Sequence, residues 1–309
     1  TGYGEQPAGQ PANRTIGIYA AALIGIPLFY LLFVNLMNSA ESTAGAGSIV
    51  AYVLALPLMG KLLFGTFIIA VPGILIWSFV SGSRTEFQMM LAAMVLITFN
   101  VVFWTLFEQA GSSLTLFADQ STQMPAWFNA GYTQMFNPGI IIIGGPIMAA
   151  LWVWLGKRNL EPSTPVKFSF GLVLVGFGFL VLTWAASNMA NDAFRVPLMF
   201  LFLTYFFHTI GELCLSPVGL SMITKLSVAR VVGLMMGVWF LSSSVAHIVA
   251  GIIAQATATD TVAGVVTSPA LALQTYGSIF GTIGWVGVGV GVFLLLISPL
   301  LKKGMAGVH

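Results

Sequence analysis

Residues 202–220 read FLTYFFHTIGELCLSPVGL. The run is close to the ~20 mainly apolar residues that a membrane helix needs, yet it holds a carboxylate, Glu212. An ionised carboxylate in lipid costs on the order of 3 kcal/mol by insertion scales. Such a residue faces a bundle interior or a wet cavity, either protonated or paired with a cation. It serves function or, on the plainer reading, a structural hydrogen bond or salt bridge. His208, Glu212 and Ser216 recur at a spacing of four and form one polar stripe on a helix. Pro217 follows at once; it frees a backbone carbonyl and kinks the helix, which is tolerated where the site is wet or packed by protein. His208 taken alone reads as a helix-contact residue.

A second apolar run, ITFNVVFWTLFEQAGSSLTLF at residues 97–117, encloses Glu108. Ser112 lies four residues on and is expected on the same helix face. In YTQMFNPGIIIIGGP, residues 132–146, Gln134 and Asn137 are three apart on one face, and Pro138 and Pro146 interrupt the helix. Amides inside a span must find partners; these either bind the polar backbone of a substrate or tie two helices together. Trp239 and Phe240, in MMGVWFLSSSVAH at 235–247, either line an apolar pocket or pack helices. Lys61 is read as snorkelling to an interface from a helix end.

The rest of the chain agrees with a membrane setting. Of its 309 residues 58% are hydrophobic and 6% charged, against about 25% charged in soluble domains, and mean hydropathy is +0.96. So few charges cannot cover a water-exposed surface, which makes the fold class an all-α polytopic membrane protein. A net charge of +2 offers no patch for nucleic acid. The lone cysteine, Cys214, excludes an internal disulfide and a CxxC motif, and His208, His247 and His309 are too widely spaced for a ligand cluster. No cofactor or metal is expected, and no nucleophile–base set suggests an enzyme.

Eight candidate spans follow, roughly 15–37, 49–80, 86–118, 131–156, 167–187, 195–224, 230–256 and 270–301. Several exceed the bilayer core and must tilt, kink or project; Pro57, Lys61 and Pro72 interrupt the second. The loops carry in turn Arg14; Glu41; Arg84 and Glu86; Asp119; Lys157, Arg158, Glu161 and Lys167; Asp192 and Arg195; Lys225 and Arg230; Asp260; and Lys302 with Lys303. Basic residues other than Arg195 fall in every second loop, which predicts both ends on the cytoplasmic side. Glycine is abundant, as where membrane helices approach closely, and GTIGWVGVGVGVF at 281–293 reads as a packing face. Trp127, Trp152, Trp154 and Trp184 fall near span ends as interfacial anchors. The opening TGYGEQPAGQPANR, residues 1–14, has no apolar signal core and reads as a cytoplasmic linker within a longer chain.

Four stretches resemble the proton-dependent oligopeptide transporter (POT, or PTR) family of the major facilitator superfamily. They are FWTLFEQAGSSLTLFAD (103–119), QMFNPGIIIIGGPIMAALW (134–152), PSTPVKFSFGL (162–172) and GELCLSPVGLSMITKLSVARVVGLMMGVWFLSSSVAHIVAG (211–251). The resemblance implies twelve core helices in two six-helix halves, with two additional helices inserted between the halves in bacterial members. On this basis residues 15–80 are the inserted pair and 81–309 the C-terminal six-helix bundle. The N-terminal half, with its ExxERxxY-type motif and the basic residues for the peptide carboxylate, is then absent, and this chain alone is not expected to transport.

The resemblance further implies roles. Glu108 pairs with an arginine of the other half and couples proton movement to gating. Glu212 receives the peptide's amino terminus, and Asn137 contacts the peptide. Trp239, Ser216 and Phe240 line the side-chain pocket, and Asp119 lies near the outer gate; Gln134 joins the candidates from the residue reading. His247 departs from the family pattern, which has asparagine there, and leaves that helix contact and the pH dependence open. The expected function is symport of di- and tripeptides with protons by a monomer in a bacterial cytoplasmic (inner) membrane. The rivals are proton-coupled transport of another small solute and an integral-membrane enzyme.

Overall fold

A computed structural model of the chain describes residues 12–38, 49–258, 261–262 and 265–307. Residues 1–11, Glu41, Asp260 and His309 lie outside the described residues. The described chain is dominated by α1 (Ala12–Asn38), α2 (Ile49–Ala55), α3 (Leu58–Ser81), α4 (Arg84–Phe107), α5 (Ser113–Ser121), α6 (Phe136–Lys157), α7 (Thr164–Asn188), α8 (Leu198–Leu226), α9 (Val232–Ala256) and α10 (Pro269–Gly304). Among the described residues seven helical segments are long and apolar enough to cross a membrane, and Tyr19–Asn35 adds a shorter apolar stretch. Each of the eight predicted segments therefore carries helix, and the protein is a multi-pass integral membrane protein. Loop strands of two residues each pair as β1 (Thr122–Gln123) with β2 (Val196–Pro197), parallel, and β3 (Thr261–Val262) with β4 (Val265–Val266), antiparallel.

The chain divides within α3 into two compact units, Thr1–Phe64 and Gly65–His309. In the first, Pro57 separates α2 from α3, since it lacks an N–H and cannot continue a helix from the preceding turn. The first N–H of α3, at Leu58, has no partner in its own helix and donates instead to Asn35 Oδ1 at 3.1 Å. Leu23, Ile24 and Phe29 of α1 are exposed; lipid tails are as apolar as such side chains, so exposure there costs nothing. Lys61 is exposed one turn into α3.

In the second unit α4 opens on a capping box. Ser83 Oγ accepts from the Glu86 N–H, and Glu86 Oε2 accepts from the Ser83 N–H at 2.7 Å. The helix then runs through the core, burying Met90, Ala93, Leu96, Ile97 and Phe103. Along α9 it is held by polar contacts. Asn100 Nδ2 donates to Ser242 Oγ at 2.9 Å and Thr105 Oγ1 to the Ala246 carbonyl at 3.4 Å.

The helix pairs around α7 are set by small residues. A Cβ added at Gly176 of α7 would stand 2.6 Å from the Gly284 carbonyl oxygen of α10, and one at Gly171 would stand 2.9 Å from the Gly211 oxygen of α8. Backbones approach so closely only where side chains are absent. Ser169 Oγ adds a 2.8 Å hydrogen bond to the Gly291 carbonyl. The predicted packing role of the 281–293 glycines thus has its partner in α7.

Basic loop residues gather at one end of this unit. Arg230 Nη2 donates to the Ser81 carbonyl at 3.0 Å and its guanidinium lies over Trp77. Lys167, Lys225 and Lys302 line one cavity of about 610 Å³ together with Glu161, which pairs with Lys167.

Candidate functional site

Glu108 does not sit on a continuous helix. α4 ends at Phe107, a 3-10 turn follows over Glu108–Gly111, and Ser112 adopts φ −133° and ψ −96° before α5 begins. The expected shared face of Glu108 and Ser112 is therefore corrected: the i, i+4 rule fails because the helix breaks between them. Gln109, fully buried, anchors the break. Its Nε2 donates to the Thr105 carbonyl at 3.0 Å and the Ala250 carbonyl of α9 at 3.2 Å, and its Oε1 accepts from Ser113 Oγ at 2.6 Å.

A second turn, Ala130–Met135, leads into α6 and carries Gln134. Gln134 Nε2 donates to the Ala110 carbonyl and to Thr115 Oγ1 at 2.7 Å, so this turn is fastened to the break after Glu108. Tyr205 Oη of α8 reaches the same Ala110 carbonyl at 3.3 Å. Two residues further, Asn137 lies in the first turn of α6, where Pro138 is tolerated because no intrahelical N–H is lost. Asn137 Nδ2 donates to Glu212 Oε2 of α8 at 2.9 Å and to Thr209 Oγ1 at 3.1 Å. Both amides thus tie helices together, and Asn137 fixes the orientation of the Glu212 carboxylate. Asn137 and Glu212 are both half-buried, so this polar cluster is neither sealed in the core nor displayed on the surface.

The remaining predicted residues scatter. Trp239 is buried, its ring filling the notch that Gly219 leaves and meeting Phe168 at 6.4 Å between centroids; a Cβ on Gly219 would stand 2.4 Å from that ring. Phe240, the next residue of α9, is exposed. Ser216 is half-buried, and its buried Oγ has no hydrogen-bond partner among the described residues. Asp119 is exposed near the end of α5. His208 packs on Phe179 and Gly178 of α7, in keeping with a helix-contact role.

Sequence reasoning missed two neighbours. His247 Nδ1 lies 3.5 Å from Glu108 Oε2, with side-chain exposures of 58% and 27%. The departure from asparagine was the only signal for it, and nothing local in the sequence joins two residues on different helices. Thr209, a third member of the Asn137–Glu212 cluster, carried no signal at all. Among the described residues no group of His, Cys, Asp or Glu is placed to hold a metal ion.

A profile of the POT family matches residues 60–279. The chain belongs to the POT family. Over 230 residues, 74% of this chain and 43% of the relative, it is 36% identical to a protein of Bacillus subtilis called uncharacterized transporter YclF. Over 307 residues, 98% of this chain and 58% of the relative, it is 28% identical to dipeptide and tripeptide permease B of Aliivibrio fischeri. A crystal structure of the peptide transporter POT in complex with sulfate superposes with a TM-score of 0.70 at 28% identity, covering 96% of this chain and 55% of that one. The POT chain described above spans about half the length of these relatives. Its fold is that of the POT transporters.

Proposed function

We propose that the chain forms the C-terminal part of a transporter that moves di- and tripeptides together with protons across a bacterial cytoplasmic membrane. Residues 15–80 would be an inserted helix pair and 81–309 the six-helix half, with both ends of the chain cytoplasmic. The N-terminal half completes the site, and the whole works as a monomer. The observation that carries this reading is the Glu212 carboxylate on a membrane helix, half-buried and oriented by Asn137. A peptide has a cationic and an anionic end. A fixed carboxylate in this half suits the amino terminus, and cations in the other half suit the carboxylate. Family membership and the name of the Aliivibrio fischeri relative support the same substrate class.

Holding one substrate from both halves draws them together, and rocking one half against the other about a central site gives alternating access. Glu108, at the break after α4, is the proposed coupling residue. A proton on its carboxyl would cancel the charge that pairs it with a cation of the other half and so release a gate. Ser216 and Phe240 are proposed to face the peptide side chains, Trp239 to support that pocket from behind, and Asp119 to act near the outer gate. Gln134 would hold the turn from which Asn137 projects. Another small solute is the second reading; Glu212 disfavours an anion and favours any amine.

The test is uptake of a labelled dipeptide by the full-length protein in liposomes with an inward proton gradient. Gradient-driven accumulation is expected, and a correctly folded protein that takes up no dipeptide sinks the peptide assignment. Glu108→Gln is expected to uncouple uptake from the gradient; undiminished gradient-driven uptake in that variant removes Glu108 from coupling.

A further inference from the structure

We propose that His247, on the face of α9 turned away from the core, is a second proton-carrying residue that acts with Glu108 as one titrating pair. This deepens the transport reading and rests on it.

The register of α9 against the break after α4 places the two together. The Ala246 carbonyl accepts from Thr105 and the Ala250 carbonyl from Gln109, so the residues that bracket His247 are fixed to the helix and turn that bracket Glu108. Gly237, Phe240 and His247 then lie on the exposed side of α9, and Trp239, Ser242 and Ala246 on the packed side. His247 is thus open to solvent or to a second half of the protein, while its Nδ1 stays 3.5 Å from the carboxylate.

Glu108 stands at the carbonyl end of α4, where the helix presents partial negative charge and a carboxylate is disfavoured without a cation nearby. Imidazole is the side chain that changes between neutral and cationic near physiological pH. A hydronium ion reaching the exposed side of α9 gives its proton to the neutral ring, leaving water and an imidazolium beside the Glu108 carboxylate. When the site opens to the other side the imidazolium returns that proton to water. While His247 is charged, Glu108 is satisfied within its own half; while it is neutral, Glu108 is free to take a cation from elsewhere. The protonation of His247 therefore decides whether Glu108 binds across the halves.

Other ionisable groups on elements packed against α9 do not compete at that distance among the described residues. On α8, Glu212 is bonded to Asn137, Tyr205 to the Ala110 carbonyl, and His208 and Cys214 are buried. Lys225, Arg230, Arg84 and Glu86 lie at the opposite, basic end of these helices.

The experiment uses the full-length protein with nitrogen-15-labelled histidine in lipid nanodiscs. The His247 ring signal, assigned by its loss in His247→Asn, is titrated in the wild type and in Glu108→Gln. The midpoint is expected to differ by about one pH unit between the two, the scale of one charged contact. In proteoliposomes His247→Asn is expected to move the pH profile of driven dipeptide uptake by about the same amount toward acid. Equal midpoints overturn the pairing. Unequal midpoints with superimposable uptake profiles overturn the coupling role. The titration needs no transport, so a wild type that takes up no dipeptide counts against the transport reading alone.

Discussion

Asn137, in the first turn of α6, donates a 2.9 Å hydrogen bond to Glu212 in the middle of α8. The bond joins two helices and aims a carboxylate that would otherwise rotate freely. Asn137 also donates to Thr209, whose Oγ1 keeps its own bond to the Tyr205 carbonyl at 2.7 Å, so removal of Asn137 falls chiefly on Glu212.

Asn137→Ala is therefore expected to lower stability by about 1–3 kcal/mol, the cost of leaving a partly buried acceptor unsatisfied. Thermal unfolding in detergent checks this. In a double-mutant cycle with Glu212→Gln the two changes are expected to be non-additive, since they share one contact.

Gln109 closes the break after α4 with three hydrogen bonds. Gln109→Ala is expected to cost about 2 kcal/mol or more at roughly 1 kcal/mol per bond and to impair gradient-driven uptake, because Glu108 loses its fixed position. Unfolding and uptake measured on the same preparation separate the two effects.

The glycines of α10 are not equivalent. A Cβ at Gly287 would stand 2.9 Å from Gly176, whereas one at Gly289 meets nothing within 4 Å among the described residues. Gly287→Ala is expected to destabilise by about 1–3 kcal/mol through overpacking. Gly289→Ala is expected to be neutral or stabilising by up to about 1 kcal/mol through helix propensity. Equal effects in thermal unfolding would mean that α7 and α10 do not meet as described.

Lys167 is nearly buried, paired with Glu161 and 4.7 Å over the Trp152 ring. Glu161→Gln removes the counter-charge and leaves the ammonium buried, while Lys167→Met keeps the apolar stem. The first is expected to cost more, on the order of 1–2 kcal/mol because Glu161 is itself partly exposed to solvent. The reverse order in unfolding experiments would contradict this.

Much of this was legible in the sequence. Apolar run length located the helical segments, and two carboxylates within those runs pointed to the site proposed above. Other features depend on contacts between distant segments. FEQAGSS contains no proline, so the break at Glu108–Gly111 has no local breaker stronger than Gly111; it is held by Gln109 reaching α9. Trp239 read more readily as packing than as a pocket wall, and the notch at Gly219 shows where its ring is buried. The approach of His247 to Glu108 follows from the register of α9 on α4, which no spacing within one segment can encode.

The most direct test of the central claim asks whether Glu212 recognises a peptide's amino group. Driven uptake of a labelled dipeptide would be measured in the full-length protein and in Glu212→Gln, with the free dipeptide and its N-acetylated form as competitors. The account predicts that the wild type is inhibited by the free dipeptide far more than by the acetylated one, and that Glu212→Gln loses most uptake together with that preference. Retention of both uptake and preference in Glu212→Gln would contradict it.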